Sequence, residues 1–190
     1  MPAVKYTKHV GGSTLSPLQL IVAIDEAGGF AKDGKIPWHF PEDMKHFKQT
    51  TTGSACIMGR VTYQDMYDMV IARKSKGNNE EKKKPVHIKE ILPKRDSYVV
   101  TKTMSGAEGA IVVPDIRAAV EQTEKKAIFV IGGERMFTEA LPWVNRIYMT
   151  IVKGTYDCDR LFPVNYVQKH FKIATGKKKS PLTFVEYVRK

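Results

Sequence analysis

The stretch IPWHFPEDMKHF (Ile36–Phe47) sets one carboxylate among aromatic side chains. A helix opening at Pro41 places Asp43 and Phe47 four residues apart on one face with Met44 alongside, and turns Glu42 and Lys45 toward solvent. Asp43 is then flanked by Phe47, Met44 and the preceding Trp38. A carboxylate in such surroundings must be paired or protonated. A flat heterocycle with an amidine-like edge could accept that pairing and stack on the aromatics. Taken alone, an acid in a first helical turn is explained equally well by the helix dipole.

Two glycine junctions suggest phosphate chemistry. IMGRVTY (Ile57–Tyr63) reads as a strand, then Gly59, then a helix start, and FVIGGERMF (Phe129–Phe137) repeats the arrangement with Gly132 and Gly133. The first N–H groups of a helix have no partner within it, and with the helix dipole they favour anions. Glycine lets a phosphate approach the backbone with no Cβ in the way. Arg60 and Thr62 at the first junction, and Arg135 at the second, add donors. Two such sites on one sheet suit a pyrophosphate-containing dinucleotide. Neither is a G-x-G-x-x-G fingerprint, which disfavours an ordinary Rossmann domain. A single strand–glycine–helix junction is more often only a turn. VVTK (Val99–Lys102) ends a third strand with Thr101 and Lys102. Beside Arg60 these would surround a 2′-phosphate, where an acid would favour the bare ribose of NAD, so the cation points to NADP(H).

Other chemistries lack their residues. The five histidines show no metal-ligand spacing with Cys56 and Cys158, and there is no G-x-S-x-G elbow and no P-loop. His39 and His46 flank the acidic helix and read as surface or rim residues. The two cysteines cannot build a disulfide framework; Cys56, in an apolar run, reads as a buried thiol, and a reducing cytosol is the expected compartment.

The elements that must position these groups are legible. The chain has 190 residues, 42% hydrophobic and 27% charged, which suits one globular domain. No apolar run is long enough to span a membrane, and no apolar segment of the signal-peptide kind follows Lys5, Lys8 and His9. Strands are expected at Leu18–Ile24, Ala55–Met58, Ser97–Thr101, Ile111–Val113, Ala127–Ile131, Arg146–Val152, Phe171–Ala174 and Thr183–Val188. Helices are expected at Pro41–Thr51, Val61–Met69, Ile116–Glu124 and Glu134–Ala140. Their alternation argues for an α/β domain on a mainly parallel sheet, with the last two strands an antiparallel hairpin joined by a Gly176–Pro181 loop. Asp68–Ile91 lacks a pattern and reads as a basic loop insertion with a mobile Gly77-Asn78-Asn79 tip. Residues 1–17 read as an extension to a domain over 18–190. The net charge of +11 is local: nine Lys or Arg against three Glu lie between Arg73 and Arg95, and six against one between Lys172 and Lys190. Neither segment interleaves aromatics with its lysines, so both read as solubilising and no nucleic-acid partner is expected.

Together the residues resemble a family. IVAIDEAGGFAKDGKIPWHFPEDMKHFKQTT, IMGRVTYQDM, LPKRDSYVVTK, VIGGERMF and IYMTIVKGTYDCDRLFP occur in the order and spacing of dihydrofolate reductase, and the resemblance covers about Leu18–Val188. It implies an eight-stranded, mostly parallel twisted sheet with an antiparallel C-terminal strand, flanked by four helices. It also implies reduction of 7,8-dihydrofolate to tetrahydrofolate by NADPH, in support of one-carbon metabolism, by a cytoplasmic monomer.

Residue by residue, the resemblance makes Asp43 the acid that binds the pterin and favours protonation of its N5. Trp38 would help hold a water near that acid, and Thr150 would bond both the acid and the pterin amino group. Ile21, Met44, Phe47 and Leu92 match pocket walls, and Arg95 matches the arginine that grips the α-carboxylate of the glutamate tail. Ala23 and Ile131 match nicotinamide contacts. The loop Gly29, Phe30, Ala31, Lys32, Asp33, Gly34 and Lys35 matches a mobile segment that closes over the nicotinamide, and Asp159 matches an acid that bonds it. Gly59, Arg60, Val61 and Thr62, with Thr101 and Lys102, match the adenosine and 2′-phosphate side. Gly132, Gly133, Glu134 and Arg135, continuing through Met136, Phe137 and Glu139, match the pyrophosphate turn and its helix, with a cis peptide expected between the two glycines.

Two departures stand out. The family's loop sequence G-I-G is Gly29-Phe30-Ala31 here, so Ala31 would be strained if that position uses positive φ. Phe137 stands where many members have tyrosine. Two other readings remain: a related reductase of a riboflavin or pterin pathway, which would not need the Trp38–Asp43 pairing or Arg95, and a non-catalytic binding or scaffold module using the lysine-rich segments.

Overall fold

The structure, a computed structural model, describes residues 8–10, 13–15, 18–75 and 87–190. Its elements begin with the short strands β1 (Lys8–Val10) and β2 (Ser13–Leu15), followed by β3 (Leu18–Asp25) and β4 (Gly29–Ala31). Then come α1 (Pro41–Thr51), β5 (Ala55–Gly59), α2 (Arg60–Ser75), β6 (Asp96–Val100) and β7 (Ile111–Val113). The second half holds α3 (Ile116–Gln122), β8 (Ile128–Gly132), α4 (Glu134–Ala140), β9 (Arg146–Val152) and β10 (Arg160–Leu161). It ends with α5 (Val164–His170), β11 (Phe171–Lys179) and β12 (Leu182–Arg189).

Eight strands form one sheet in the order β11-β12-β9-β3-β8-β5-β6-β7. β9, β3, β8, β5, β6 and β7 run parallel, and β12 lies antiparallel between β9 and β11. Burial explains why the expected strands are found. β3, β5, β6 and β8 are buried along almost their whole length, as strands covered on both faces must be, and their sequences are mostly apolar, Gln19, Asp25, Asp96 and Ser97 being the polar exceptions. The main core packs α3, α4 and α5 against the sheet through Ile116, Val120, Met136, Phe137 and Val167. A second core lies under α2, around Met58, Tyr63, Ile88, Ile91 and Val99.

Among the described residues the helices number five, where four were expected. α5 buries only Val167 and has no side-chain cap, so nothing in its sequence announces it. Within Asp68–Ile91, expected as a loop, α2 continues through Ser75, and Ile88 and Ile91 are buried. The Gly77-Asn78-Asn79 tip and the lysines at 82–84 lie outside the described residues. The C-terminal hairpin turns at Ser180-Pro181, and Gly176 is strand, paired with Val185, where a loop was expected. Every β11 residue after Phe171 is exposed. Lys172, Lys177, Lys178 and Lys179 therefore charge the outermost strand, which discourages edge-to-edge pairing. Among the described residues no helix is long and apolar enough to cross a membrane.

Asp25, at the end of β3, organises the connection toward α1. Its buried carboxylate accepts hydrogen bonds from the backbone N–H of Ala27 (3.0 Å), Gly29 (2.7 Å) and Tyr156 (3.0 Å). It thereby ties the turn after β3 to the segment between β9 and β10. Gly29 is required here by close approach: a Cβ would lie 2.4 Å from that of Cys158. Replacing Asp25 leaves three N–H groups without their acceptor, and hydrogen bonds to a charged group contribute about 1.5–3 kcal/mol each. Asp25→Ala is expected to lower unfolding free energy by about 3 kcal/mol or more in denaturant titration, and Asp25→Asn to recover part of it. A variant as stable as wild type would remove Asp25 from this role.

Candidate functional site

The site lies where parallel strands end. β3, β5 and β8 present their C-terminal ends together, the usual position for ligands on such sheets. α1 crosses one side of this edge, and the glycine junctions after β5 and β8 form the other.

On the α1 side, Asp43 and Phe47 are half-buried while Glu42 and Lys45 are exposed, as the helical spacing requires. α1 starts with Pro41 and has Glu42 and Asp43 in its first turn. The Thr150 hydroxyl donates to the Asp43 carboxylate. Thr150 is buried in β9 and pairs in register with Ala23 of β3 on one side and Phe184 of β12 on the other. Burial raises the pKa of Asp43 above its ordinary value of 3.8, opposed by the Thr150 hydrogen bond and by nearby His46. Trp38 is buried against Tyr156, ring centroids 5.0 Å apart, and its indole Nε1 is buried without a hydrogen-bond partner. A buried donor in that condition calls for a water or ligand acceptor.

Ile21 is buried, Ala23 is partly covered, and Met44 is 45% exposed. Arg95 lies over the Phe47 ring, its guanidinium carbon 5.7 Å from the centroid. Its Nε is buried and unpartnered, and burial pulls its pKa down. These features prepare it for an anion. Leu92 packs instead with the second core, in the cluster that includes Ile131.

On the other side the two glycine junctions touch. A Cβ on Gly59 would lie 3.7 Å from the Gly133 nitrogen. A Cβ on Gly132, whose φ is +142°, would lie 3.1 Å from Thr62 Oγ1, and one on Gly133 would lie 3.4 Å from it. Side chains there would fill the cradle, so the bare backbone and Thr62 suit close approach by a phosphate. The Gly132-Gly133 peptide is cis. The β5–β8 register slips between Ile57 and Met58, which leaves Ile131 as a bulge beside the cradle. Arg60, Lys102 and Arg135 are exposed around it, and Val61 is 56% exposed. The Thr101 backbone N–H donates to Val113, and its Oγ1 accepts from the Thr103 N–H. Glu134 pairs with Arg160 at 3.5 Å, Met136 and Phe137 lie inside the core beneath the cradle, and Glu139 is half-buried near the end of α4.

The loop after Gly29 reaches between the two sides. Gly29 and Phe30 belong to β4 with Ala31, which pairs with Arg160 of β10. Lys32 and Lys35 close a tight turn through mutual backbone hydrogen bonds. Ala31 does not carry the positive φ that would strain it; left-handed backbone falls on Asp33 (φ 50°) and on Gly28 and Gly34. The Asp33 N–H donates to Asp159 Oδ2 at 3.0 Å. Phe137 lies edge-on to Phe30 (5.5 Å) and to Phe162 (5.4 Å), apolar surroundings that suit a ring without a hydroxyl.

Two residues of consequence escape sequence reasoning. Asp25 is one; its signal is the D-E-A-G-G spacing, which lets an Asp side chain bond backbone N–H groups a few residues ahead. His46 is the other. It is half-buried and electrostatically coupled to Asp43, not a rim residue. Cys56 is buried as expected, and burial pushes its thiol up to about 11.

Comparison with known proteins points the same way. The family model described as dihydrofolate reductase matches residues 17–76 and 85–189. A dihydrofolate reductase of Bacillus subtilis is 28% identical over 162 residues, covering 84% of this chain and 83% of that protein. The type 3 dihydrofolate reductase of Salmonella typhimurium is 32% identical over 148 residues, covering 77% and 78%. The solved dihydrofolate reductase from Enterococcus faecalis, complexed with NADP(H) and RAB-propyl, superimposes with a TM-score of 0.70 at 25% identity, covering 91% of this chain and 96% of that one. The chain belongs to the dihydrofolate reductase family.

The raised pKa of Asp43 has a consequence for stability. A carboxyl whose folded pKa exceeds its unfolded value contributes stability that is full below about pH 3.8 and is lost as pH rises through the folded value. Asn in its place can still accept from Thr150 but never ionises. Asp43→Asn is therefore expected to melt several degrees above wild type at neutral pH, with the gap closing in acid. Equal melting temperatures at every pH would contradict the desolvation of this carboxylate.

Proposed function

We propose that this chain reduces 7,8-dihydrofolate to 5,6,7,8-tetrahydrofolate at the expense of NADPH, as a monomer in the cytoplasm. The observation that carries the residue assignment is the half-buried Asp43 carboxylate, bonded to Thr150, which is the register partner of Ala23. A pterin presents a 2-amino group and N3 along one edge, and Asp43 accepts from both. Phe47 and Met44 cover the ring from α1, and Ile21 closes the floor. Thr150 holds the carboxylate oriented and shares the amino group. Arg95 takes the glutamate α-carboxylate with its guanidinium fork.

Bound NADPH supplies the hydride for the carbon beside N5. Gly132, Gly133, Gly59 and Thr62 hold its pyrophosphate, while Arg60, Thr101 and Lys102 take the 2′-phosphate. Ala23 and Ile131 border the nicotinamide, and residues 29–35 exclude water from above. The negative charge on Asp43 favours protonation of N5 by a water, and the Trp38 Nε1 donor positions a water near the acid. Proton transfer aided in this way contributes about 100-fold or more to rate.

The test follows NADPH consumption with dihydrofolate, with NADH as control. Turnover is expected with NADPH, and kcat/KM with NADH should be lower by about 100-fold or more, since two charge-assisted contacts of about 1.5 kcal/mol or more each are lost. Asp43→Asn should keep the fold and lose about 100-fold at neutral pH, recovering in acid as N5 becomes protonated without help. Turnover unchanged by that substitution would refute the role of Asp43, and indifference between the two cofactors would refute the 2′-phosphate site.

A further inference from the structure

α1 carries a second titratable group one turn beyond Asp43. His46 follows by three positions, so the two share a helix face. The imidazole lies 4.7 Å from the Phe184 ring, tilted by 54°. Phe184 is the register partner of Thr150 across β12 and β9, and Thr150 bonds Asp43. Four residues thus close a circuit. A hydrogen bond joins Asp43 to Thr150, strand pairing joins Thr150 to Phe184, ring contact joins Phe184 to His46, and electrostatics joins His46 back to Asp43.

His46 also lines a cleft of about 510 Å³ between α1 and the β11–β12 hairpin, on a different set of residues from the pterin slot. That cleft gives the imidazole its own path to solvent protons. The charged and titratable groups facing it are Glu42 and Lys45 from α1, Lys177 and Lys179 from β11, Glu186 from β12 and Tyr148 from β9. Glu42 is paired with Lys179, and Glu186 with Arg146. Lys45 and Lys177 have no carboxylate partner among the described residues and oppose a positive imidazole. Asp43 is the group that favours it.

We propose that His46 is a positioning residue for the reaction: reached by solvent through the cleft and one turn from Asp43 on the same face of α1, its imidazolium is a cationic partner for the pterin-binding carboxylate. The inference rests on the reading of Asp43 as the pterin acid. Burial draws the His46 ionisation below its ordinary 6.5 and that of Asp43 above its ordinary 3.8, so the two titrations approach each other and couple. An imidazolium on His46 and a proton on the Asp43 carboxyl then oppose each other. Unit charges one helical turn apart shift each other by about half a pH unit to two units, depending on solvent exposure.

The experiment measures the ionisation midpoint of the Asp43 carboxyl by NMR in the full chain without ligands. Wild type is compared with His46→Phe, which keeps a ring against Phe184 but no charge, and His46→Lys, which keeps a charge but no ring. The expected result is a midpoint about half a unit or more higher in His46→Phe, and at or below the wild-type value in His46→Lys. The affinity for dihydrofolate in the presence of NADPH should fade at correspondingly higher pH in His46→Phe. A purely structural role gives the reverse pattern, with Phe normal and Lys disturbed, and overturns the proposal. A second measurement does not depend on how those variants fold: the His46 ring should titrate below 6.5 in wild type and lower still in Asp43→Asn. An imidazole midpoint indifferent to Asp43→Asn also overturns it. Retention of full activity by Asp43→Asn with the coupling intact would instead overturn the pterin reading and leave the pair.

Discussion

Asp43 gives up hydration when α1 lays it against the sheet, and the Thr150 hydroxyl returns only part of that loss. The carboxylate is left with unspent capacity to accept hydrogen bonds, which suits the proposed pairing with an amidine-like edge. Much of the architecture serves this state. β9 must sit between β3 and β12 so that Thr150 points at α1 from beside Ala23. α1 must begin at Pro41 so that Asp43 falls on its first inward-facing position. The same desolvation that prepares the acid for a pterin opposes folding at neutral pH, a conflict common where function and stability draw on one group.

The remainder of the site uses backbone where the acid side uses side chains. The bulge at Ile131 and the contact between Gly59 and Gly133 bring two strand ends close enough to share one phosphate-sized cradle, with Thr62 as its wall. The loop from Gly29 to Lys35 is held at three places. Asp25 fixes its root, β10 pairs with its first strand, and Asp159 takes the Asp33 N–H. Phe30 then carries the loop's position into the core through Phe137. Substitutions in this segment therefore reach both the nicotinamide side and α4.

Much of this was legible in the sequence because buried parallel strands and a Pro-led acidic helix are each written locally. The limits of α1, α4, β7 and β9 follow from Pro41, from Gly132-Gly133 and from runs such as IVV and RIYMTIV. What escaped depends on contacts distant in sequence. α5 is short, uncapped and buries one side chain, so its pattern is indistinct until β11 and the sheet receive it. The end of α2 and the burial of Ile88 and Ile91 depend on a small core that forms only when residues 87–110 fold back over α2. The role of Asp25 is hidden from local pattern because one of its acceptor contacts, toward Tyr156, spans 131 residues. His46 looked like a rim residue because Phe184 arrives from the last strand. For Ala31 the concern lay with the wrong residue: the turn takes its left-handed backbone at Asp33 and Gly34.

The pairing of one carboxylate with one ring edge is read out by a crystal structure of the chain with NADPH and a 2-aminopteridine. The account expects both Asp43 oxygens within hydrogen-bond distance, about 2.7–3.2 Å, of the 2-amino and N3 nitrogens, with Thr150 still bonded to the acid. A pteridine seated elsewhere, or an Asp43 carboxylate turned to solvent while the pteridine occupies the slot, would contradict it.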